Sequence, residues 1–148
     1  MASNHESVQL RQVHDYQFDI DFGSPLALLR ADEPAPLGQG AGPSPVQLLA
    51  SAVGNCLSAS LLFALRKFKQ QPEPIGCRVQ AEVGRNADGR LRVLSMTARL
   101  TLGTRAEALQ HLDRVLGSFE SFCTVTQSVA AAVPVEVQVF DAAGARLK

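Results

Sequence analysis

One apolar segment in the middle of the chain constrains the fold more than any other feature. It begins at Ser44-Pro45, where Ser44 is a favourable N-cap and Pro45 suits the first helical position, because its missing N–H has no partner there. Leucine, valine, alanine and one cysteine then recur at helical spacing as far as Ala64, and small residues occupy the remaining faces. A helix that is apolar or small on nearly every side is expected to be buried on nearly every side. The sequence therefore predicts a long buried helix that ends near the basic residue Arg66.

Strand patterns stand on both sides of this helix. Residues 16–22 alternate apolar and polar side chains with period 2, which indicates a half-buried strand, and a second strand is expected at residues 26–30. After the helix, Asp88-Gly89 predicts a hairpin turn between two further strands. The remaining predicted elements are a second helix over residues 104–116 with Thr104 as its cap, a third helix over 124–132 and a closing strand over 134–140.

Composition narrows the class of protein. The chain has 148 residues, of which 46% are hydrophobic and 19% charged, and this predicts one globular domain over residues 1–148. The 14 basic and 14 acidic side chains give a formal net charge of zero, so we expect neither a nucleic-acid partner nor a membrane surface as a partner. No apolar stretch is expected to reach the roughly 20 residues that span a bilayer. Residues 1–6 do not resemble a signal peptide, which predicts a cytoplasmic location.

Two of the three cysteines are the candidate functional residues. Cys56 lies in the long helix, and Cys123 lies just before or at the start of the third helix, where free backbone N–H groups favour a thiolate. Two interpretations follow from their contexts: inert core thiols, or a thiol pair brought together for redox chemistry. Cys77 opens a strand and is interpreted as structural. The three histidines show no metal-ligand spacing with one another or with the cysteines, so no metal site is predicted.

Taken together, these segments resemble the OsmC/Ohr family, the osmotically inducible proteins C and organic hydroperoxide resistance proteins. The resemblance covers nearly the whole chain, includes the order of the elements, and is carried by three segments: Ala31-Asp32-Glu33-Pro34 with the glycine-rich loop after it, Gly42-Pro43-Ser44-Pro45 with the helix as far as Gly54-Asn55-Cys56, and Cys123-Thr124-Val125-Thr126-Gln127-Ser128-Val129. It implies an α+β fold in which antiparallel sheets wrap long central helices and two chains interlock as a homodimer. A partner chain would then cover the free face of residues 48–65.

The resemblance also implies a thiol peroxidase that acts in oxidative-stress defence. Cys56 would be the peroxidatic thiolate that attacks a small organic hydroperoxide, and Cys123 would be the resolving thiol that condenses with it to a disulfide. A dithiol reductant, for which a lipoyl group is one candidate, would restore both thiols, and no cofactor is implied. Apolar residues expected near Cys56 would favour bulky organic peroxides over hydrogen peroxide: Leu57, Phe63, Phe119 and Phe122.

Two alternatives to the peroxidase stay open at the level of sequence. Characterised relatives carry a glutamate ten positions before the first cysteine and an activating arginine between the first strands. This chain has Val46 at the first position, and residues 22–25 contain no arginine. The first alternative is a non-catalytic protein of the same fold that binds an apolar small ligand at the dimer interface. The second is a structural dimer with buried, inert cysteines.

Overall fold

The described part of the chain folds into two compact units that together contain two small sheets and three α-helices. The structure is a computed structural model that describes residues 2–148. Met1, which belongs to the N-terminal segment without a signal-peptide pattern, lies outside the described residues. The units are Met1–Leu48 and Leu49–Lys148. Each unit contains one three-stranded sheet. The predicted α+β class is therefore confirmed.

The sheet of the first unit is an antiparallel meander of strands β1 (Gln9–His14), β2 (Gln17–Asp21) and β3 (Leu29–Ala31). The expected strand at residues 26–30 forms only at its end. Its first residues lie outside the ladder because the N–H of Leu26 donates to the carbonyl of Gly23, which closes a turn there. Strand pairing begins only three residues later, after the chain has left this turn.

A buried carboxylate organises the glycine-rich loop between β3 and the long helix. Asp32 is 2% exposed and accepts hydrogen bonds from the backbone N–H groups of Glu33, Gln39 and Ala41 at 2.8, 3.1 and 3.0 Å. These donors, with that of Ala41 first, hold the pKa of Asp32 below its ordinary value. The loop is therefore tied to one side chain.

Helix α1 spans Pro45–Lys67, and the prediction of its start is confirmed. The N–H of Gln47 donates to the Ser44 hydroxyl at 3.2 Å, and the N–H of Ser44 donates to the Gln47 side-chain oxygen at 2.9 Å. This reciprocal pair is a capping box, which satisfies two backbone donors at the start of the helix.

The single chain buries one face of α1. Val53, Leu57, Leu61 and Leu65 recur every four residues and are fully buried, whereas Phe63 is 71% exposed. The expectation that α1 is buried nearly all round is thus not met within one chain. The expectation that no apolar stretch reaches membrane-spanning length is wrong, because the 23 residues of α1 are long and apolar enough to cross a bilayer by length and composition alone. The core helix of a water-soluble domain meets the same criterion.

The second sheet has the strand order β4 (Gly76–Arg85), β5 (Leu91–Thr101), β6 (Val135–Phe140). Strands β4 and β5 form the predicted antiparallel hairpin, with Gly89 at a φ of +73° in the turn. Strand β6 pairs with β5 in the parallel direction, so this sheet is mixed and not purely antiparallel as the resemblance implied. The side chains on one face of this sheet join the buried stripe of α1 in a single core cluster: Met96, Ala98, Leu100, Val137 and Val139.

The predicted helix over residues 104–116 is wrong as one element. It is divided into a short 3₁₀ helix, Ala106–Ala108, and helix α2, Leu112–Leu116. The break lies at His111, whose left-handed φ of 61° interrupts the helical path. Thr104 is not its cap, since its hydroxyl donates instead to the backbone carbonyl of Gln71 at 3.0 Å.

The segment that follows leads to the second candidate cysteine. A 3₁₀ helix, Phe119–Phe122, is anchored in the core by the fully buried Phe119. Helix α3 then spans Thr124–Ala130 and ends two residues before the predicted position.

Candidate active site

Cys56 occupies the edge of the buried stripe on α1. Its neighbour Leu57 is fully buried, and Cys56 itself is half-buried and packs against the core cluster. The rigid helix therefore fixes the position of the sulfur, while part of the side chain stays within reach of a small molecule.

Cys123 lies at the junction between the 3₁₀ helix and α3. Its extended backbone, with φ −83° and ψ 97°, makes it the N-cap residue of α3, and its carbonyl accepts the N–H of Gln127 at 2.9 Å. The residue is fully buried. The prediction that Cys123 stands at the start of the third helix is confirmed.

The structure brings the two cysteines together. Burial is the largest single influence on Cys56 and raises its pKa, but hydrogen-bond donors outweigh burial, so the pKa lies below its ordinary value. The donors are, in order of effect, the Cys123 thiol, the backbone N–H groups of Val125 and Thr126, and the Ser60 hydroxyl. All four are neutral. The pKa of Cys56 is therefore lowered by neutral groups in the first turn of α3 and in its own helix.

The same contact has the opposite effect on Cys123. Burial raises its pKa most, and the hydrogen bond to Cys56 together with the charge of that thiolate raises it further. The Thr126 hydroxyl and N–H act against this rise, and the thiol of Cys123 donates to the Thr126 hydroxyl oxygen with an Sγ–Oγ1 distance of 3.0 Å. Cys56 is thus the group that ionises first, and Cys123 is the group that keeps its proton.

Cys77 is not part of this pair. It lies on β4, and burial of its sulfur raises its pKa although the residue as a whole is exposed. The other influence on its pKa is the side chain of Ser58, on α1, which acts to lower it. Neither of the other two cysteines contributes to this shift.

Three residues that lower the pKa of Cys56 are not among the site residues predicted from the sequence: Ser60, Val125 and Thr126. Ser60 follows Cys56 by one helical turn, so its side chain lies on the same face of α1, and that spacing is the signal that could have identified it. Val125 and Thr126 act through backbone N–H groups in the first turn of α3, and the signal for them is the predicted start of this helix, where such groups have no partner within the helix. Within residues 2–148, none of the groups that shift the pKa of Cys56 is a cation. Arg30, one of the arginines near the N-terminal strands, instead pairs with Asp19.

The four apolar residues expected around Cys56 differ in their burial. Leu57 and Phe119 are fully buried in the core cluster, whereas Phe63 and Phe122 are 71% and 75% exposed. A substrate or a second chain can contact the exposed pair without displacing the core.

Comparison with known proteins places the chain in a family. The sequence profile of the OsmC-like proteins matches residues 38–138. None of the curated protein sequences is similar enough to match the chain.

Solved structures share the fold at low sequence identity. An OsmC-like protein of unknown function from Vibrio cholerae is 17% identical, with a TM-score of 0.78 over 93% of this chain and 100% of its own. The organic hydroperoxide resistance protein OsmC from Legionella pneumophila is 13% identical, with a TM-score of 0.73 over 94% of this chain and 98% of its own. The organic hydroperoxide resistance protein OhrB of Bacillus subtilis is 14% identical, with a TM-score of 0.69 over 92% and 98%. Because the family profile covers more than half of the sequence and the fold agrees along nearly the whole chain, this protein belongs to the OsmC-like protein family.

Proposed function

We propose that this protein is a thiol peroxidase that reduces organic hydroperoxides, with Cys56 as the peroxidatic residue and Cys123 as the resolving residue. The observation that carries the proposal is the proximity of the two thiols, each of which shifts the pKa of the other: Cys123 acts to lower the pKa of Cys56, and Cys56 acts to raise that of Cys123. A peroxidatic cysteine must be ionised, and a resolving cysteine must lie close enough to condense with it. Two relatives of the same fold carry the name of organic hydroperoxide resistance proteins, which agrees with this chemistry.

The proposed cycle has three balanced steps. The Cys56 thiolate attacks the distal peroxide oxygen, the O–O bond breaks, and the alkoxide leaves as an alcohol after taking up a proton from solvent. The Cys56 sulfenic acid then condenses with the Cys123 thiol, which forms the disulfide and releases water. An external dithiol reduces the disulfide by thiol–disulfide exchange and is itself oxidised to a disulfide.

Neutral donors can replace a charged activator in this site. The position occupied by glutamate in characterised relatives is Val46, which cannot hold a cation. The S–H, N–H and O–H donors around Cys56 stabilise the thiolate without any charge. Because dipoles rather than ions provide the stabilisation, we expect the reactivity of Cys56 to depend only weakly on salt concentration.

The proposal also includes the domain organisation, the location, the oligomeric state and the reductant. We expect the chain to act as a single OsmC-like domain in a cytoplasmic homodimer, with a dithiol such as a lipoyl group as reductant. The exposed ring of Phe122, next to Cys123 in sequence, supports an apolar substrate.

The test is the consumption of tert-butyl and cumene hydroperoxide by the purified protein with excess dithiol. We expect the wild type and Cys77→Ser to turn over, because Cys77 interacts with Ser58 rather than with the pair. Cys56→Ser should lose turnover, since no other thiolate is activated by these donors. Cys123→Ser should complete about one turnover and then accumulate sulfenic or sulfinic acid.

One outcome would contradict the proposal and direct attention to the first alternative. If the wild type consumes no hydroperoxide and its thiols are still free afterwards, the site is not a peroxidase. The exposed Phe63 and Phe122 would then be examined for binding of an apolar small molecule.

A further inference from the structure

We propose that Thr126 is a positioning residue for the resolving step. Its hydroxyl holds the sulfur of Cys123 in place and donates a hydrogen bond to that sulfur as the Cys123 proton leaves. This inference rests on the proposed peroxidase cycle and adds to it a residue that acts through Cys123.

The geometry makes the Thr126 hydroxyl a dedicated partner of the sulfur. Thr126 lies in the first turn of α3, three residues after Cys123, and is 2% exposed. A buried hydroxyl requires a hydrogen-bond partner, and the Cys123 sulfur lies 3.0 Å from Oγ1. Valine has nearly the same shape but lacks the hydroxyl, so Thr126→Val removes this hydrogen bond with little change in side-chain volume.

The hydroxyl can serve both protonation arrangements of the pair. The Cys123 thiol has one proton, which can point either to Thr126 or to the Cys56 thiolate. A threonine hydroxyl is both an acceptor and a donor. It accepts from the thiol in the first arrangement, and it can turn to donate to the sulfur in the second.

After Cys56 is oxidised, the second arrangement, in which Thr126 donates to the Cys123 sulfur, is the one that supports the reaction. When Cys56 becomes a sulfenic acid, its negative charge disappears, and with it the repulsion that opposes ionisation of Cys123. Cys123 then attacks the Cys56 sulfur, so that the S–S bond forms and the S–O bond breaks. The leaving hydroxide departs as water with the proton of Cys123. A hydroxyl that donates to the Cys123 sulfur stabilises the negative charge that develops there during this transfer.

The first experiment follows the resolving step directly in Thr126→Val and Thr126→Ser. The reduced proteins, each with Cys77→Ser, are mixed rapidly with cumene hydroperoxide, and sulfenic acid and disulfide are quantified by mass spectrometry over time. We expect Thr126→Val to form the disulfide about tenfold more slowly than the wild type, the size of effect of one hydrogen bond to a charged group. Sulfinic acid should accumulate instead, and Thr126→Ser should restore most of the rate because it keeps the hydroxyl.

The second measurement separates this role from simple packing and from the peroxidase proposal. In a Cys56→Ser, Cys77→Ser background, the ionisation of Cys123 is followed by the ultraviolet absorbance of its thiolate as pH rises. We expect Thr126→Val to move this titration to higher pH and Thr126→Ser to leave it nearly unchanged, with similar thermal midpoints for all three proteins. A loss of packing alone would change the thermal midpoint and not the titration.

The two experiments distinguish failure of the Thr126 role from failure of the peroxidase proposal. If Thr126→Val resolves at the wild-type rate, or if its Cys123 titration coincides with that of Thr126→Ser, the role of Thr126 is overturned while the peroxidase proposal stands. If neither sulfenic acid on Cys56 nor the Cys56–Cys123 disulfide forms in the wild type, the peroxidase proposal and the resolving role fail together. The Cys123 titration then still decides whether the hydroxyl acts on this sulfur.

Discussion

Two cysteine side chains of the same chemistry adopt different protonation behaviour because their surroundings differ. Cys56 receives four neutral donors, whereas Cys123 is fully buried and next to the charge that forms on Cys56. At the interface between α1 and the start of α3, these surroundings therefore favour the thiolate on Cys56 and the proton on Cys123, which agrees with the roles proposed for them.

The donor role of Cys123 gives a prediction at this scale. In a Cys77→Ser background, we expect Cys123→Ala to move the pH profile of Cys56 alkylation to higher pH, because it removes the S–H donor that lowers the pKa of Cys56. Cys123→Ser keeps a hydroxyl donor and should move the profile less. The measurement is the rate of iodoacetamide labelling against pH, and coincident profiles for the alanine variant and the parent would refute the donor role.

At the scale of elements, the turn after β5 is held closely against the segment that leaves α1. The N–H of Gly103 donates to the carbonyl of Pro72 at 2.7 Å. A Cβ atom at Gly103 would lie 2.3 Å from the ring nitrogen of Pro74, which is far inside van der Waals contact. Because this contact joins the exit of α1 to the end of the sheet, it helps to fix the helix that carries Cys56.

We expect Gly103→Ala to destabilise the protein by about 1–3 kcal/mol, the usual cost of forcing an extra carbon into a packed site. Gly76→Ala is the matched control, since a Cβ there meets nothing within 4 Å and should change stability by less than about 0.5 kcal/mol. Urea unfolding of both variants and the wild type measures the difference. Equal midpoints for the two variants would contradict the assigned contact.

At the scale of the whole molecule, large apolar side chains are exposed in both compact units. They include Leu10 and Phe18 in the first sheet and Phe63 on α1, with exposed fractions of 53%, 37% and 71%. Exposed apolar side chains in this number are typical of a surface that another chain covers. This supports the proposed homodimer.

We expect the wild type to sediment as a dimer and Phe63→Glu to shift the population to monomer, because a carboxylate would have to be buried in the interface. Lys67→Glu, which places the same residue at the exposed basic end of α1, should leave the dimer intact. Analytical ultracentrifugation over a range of concentrations measures both. A wild-type protein that stays monomeric, or a Phe63→Glu protein that stays dimeric, would exclude this face as the interface.

Local signals in the sequence determined the elements on which the candidate site is built. The Ser44 cap with Pro45 predicted where α1 begins, Asp88-Gly89 predicted the hairpin, and the residue pattern after Cys123 predicted the start of a helix. Each of these depends on hydrogen bonds or backbone preferences that act within a few residues. They can therefore be recognised without knowing where the rest of the chain lies.

Contacts between distant segments decided the rest. No local sequence pattern predicts the left-handed backbone conformation of His111, which divides the predicted second helix, or the parallel pairing of β6 with β5. Whether Cys56 meets Cys123, and which of the two ionises first, depends on how the first turn of α3 packs against α1. The sequence by itself determined which residues could form an activated thiol pair. Only the tertiary structure decided that they do, because a pKa depends on the burial, hydrogen bonds and charges that folding brings to the sulfur.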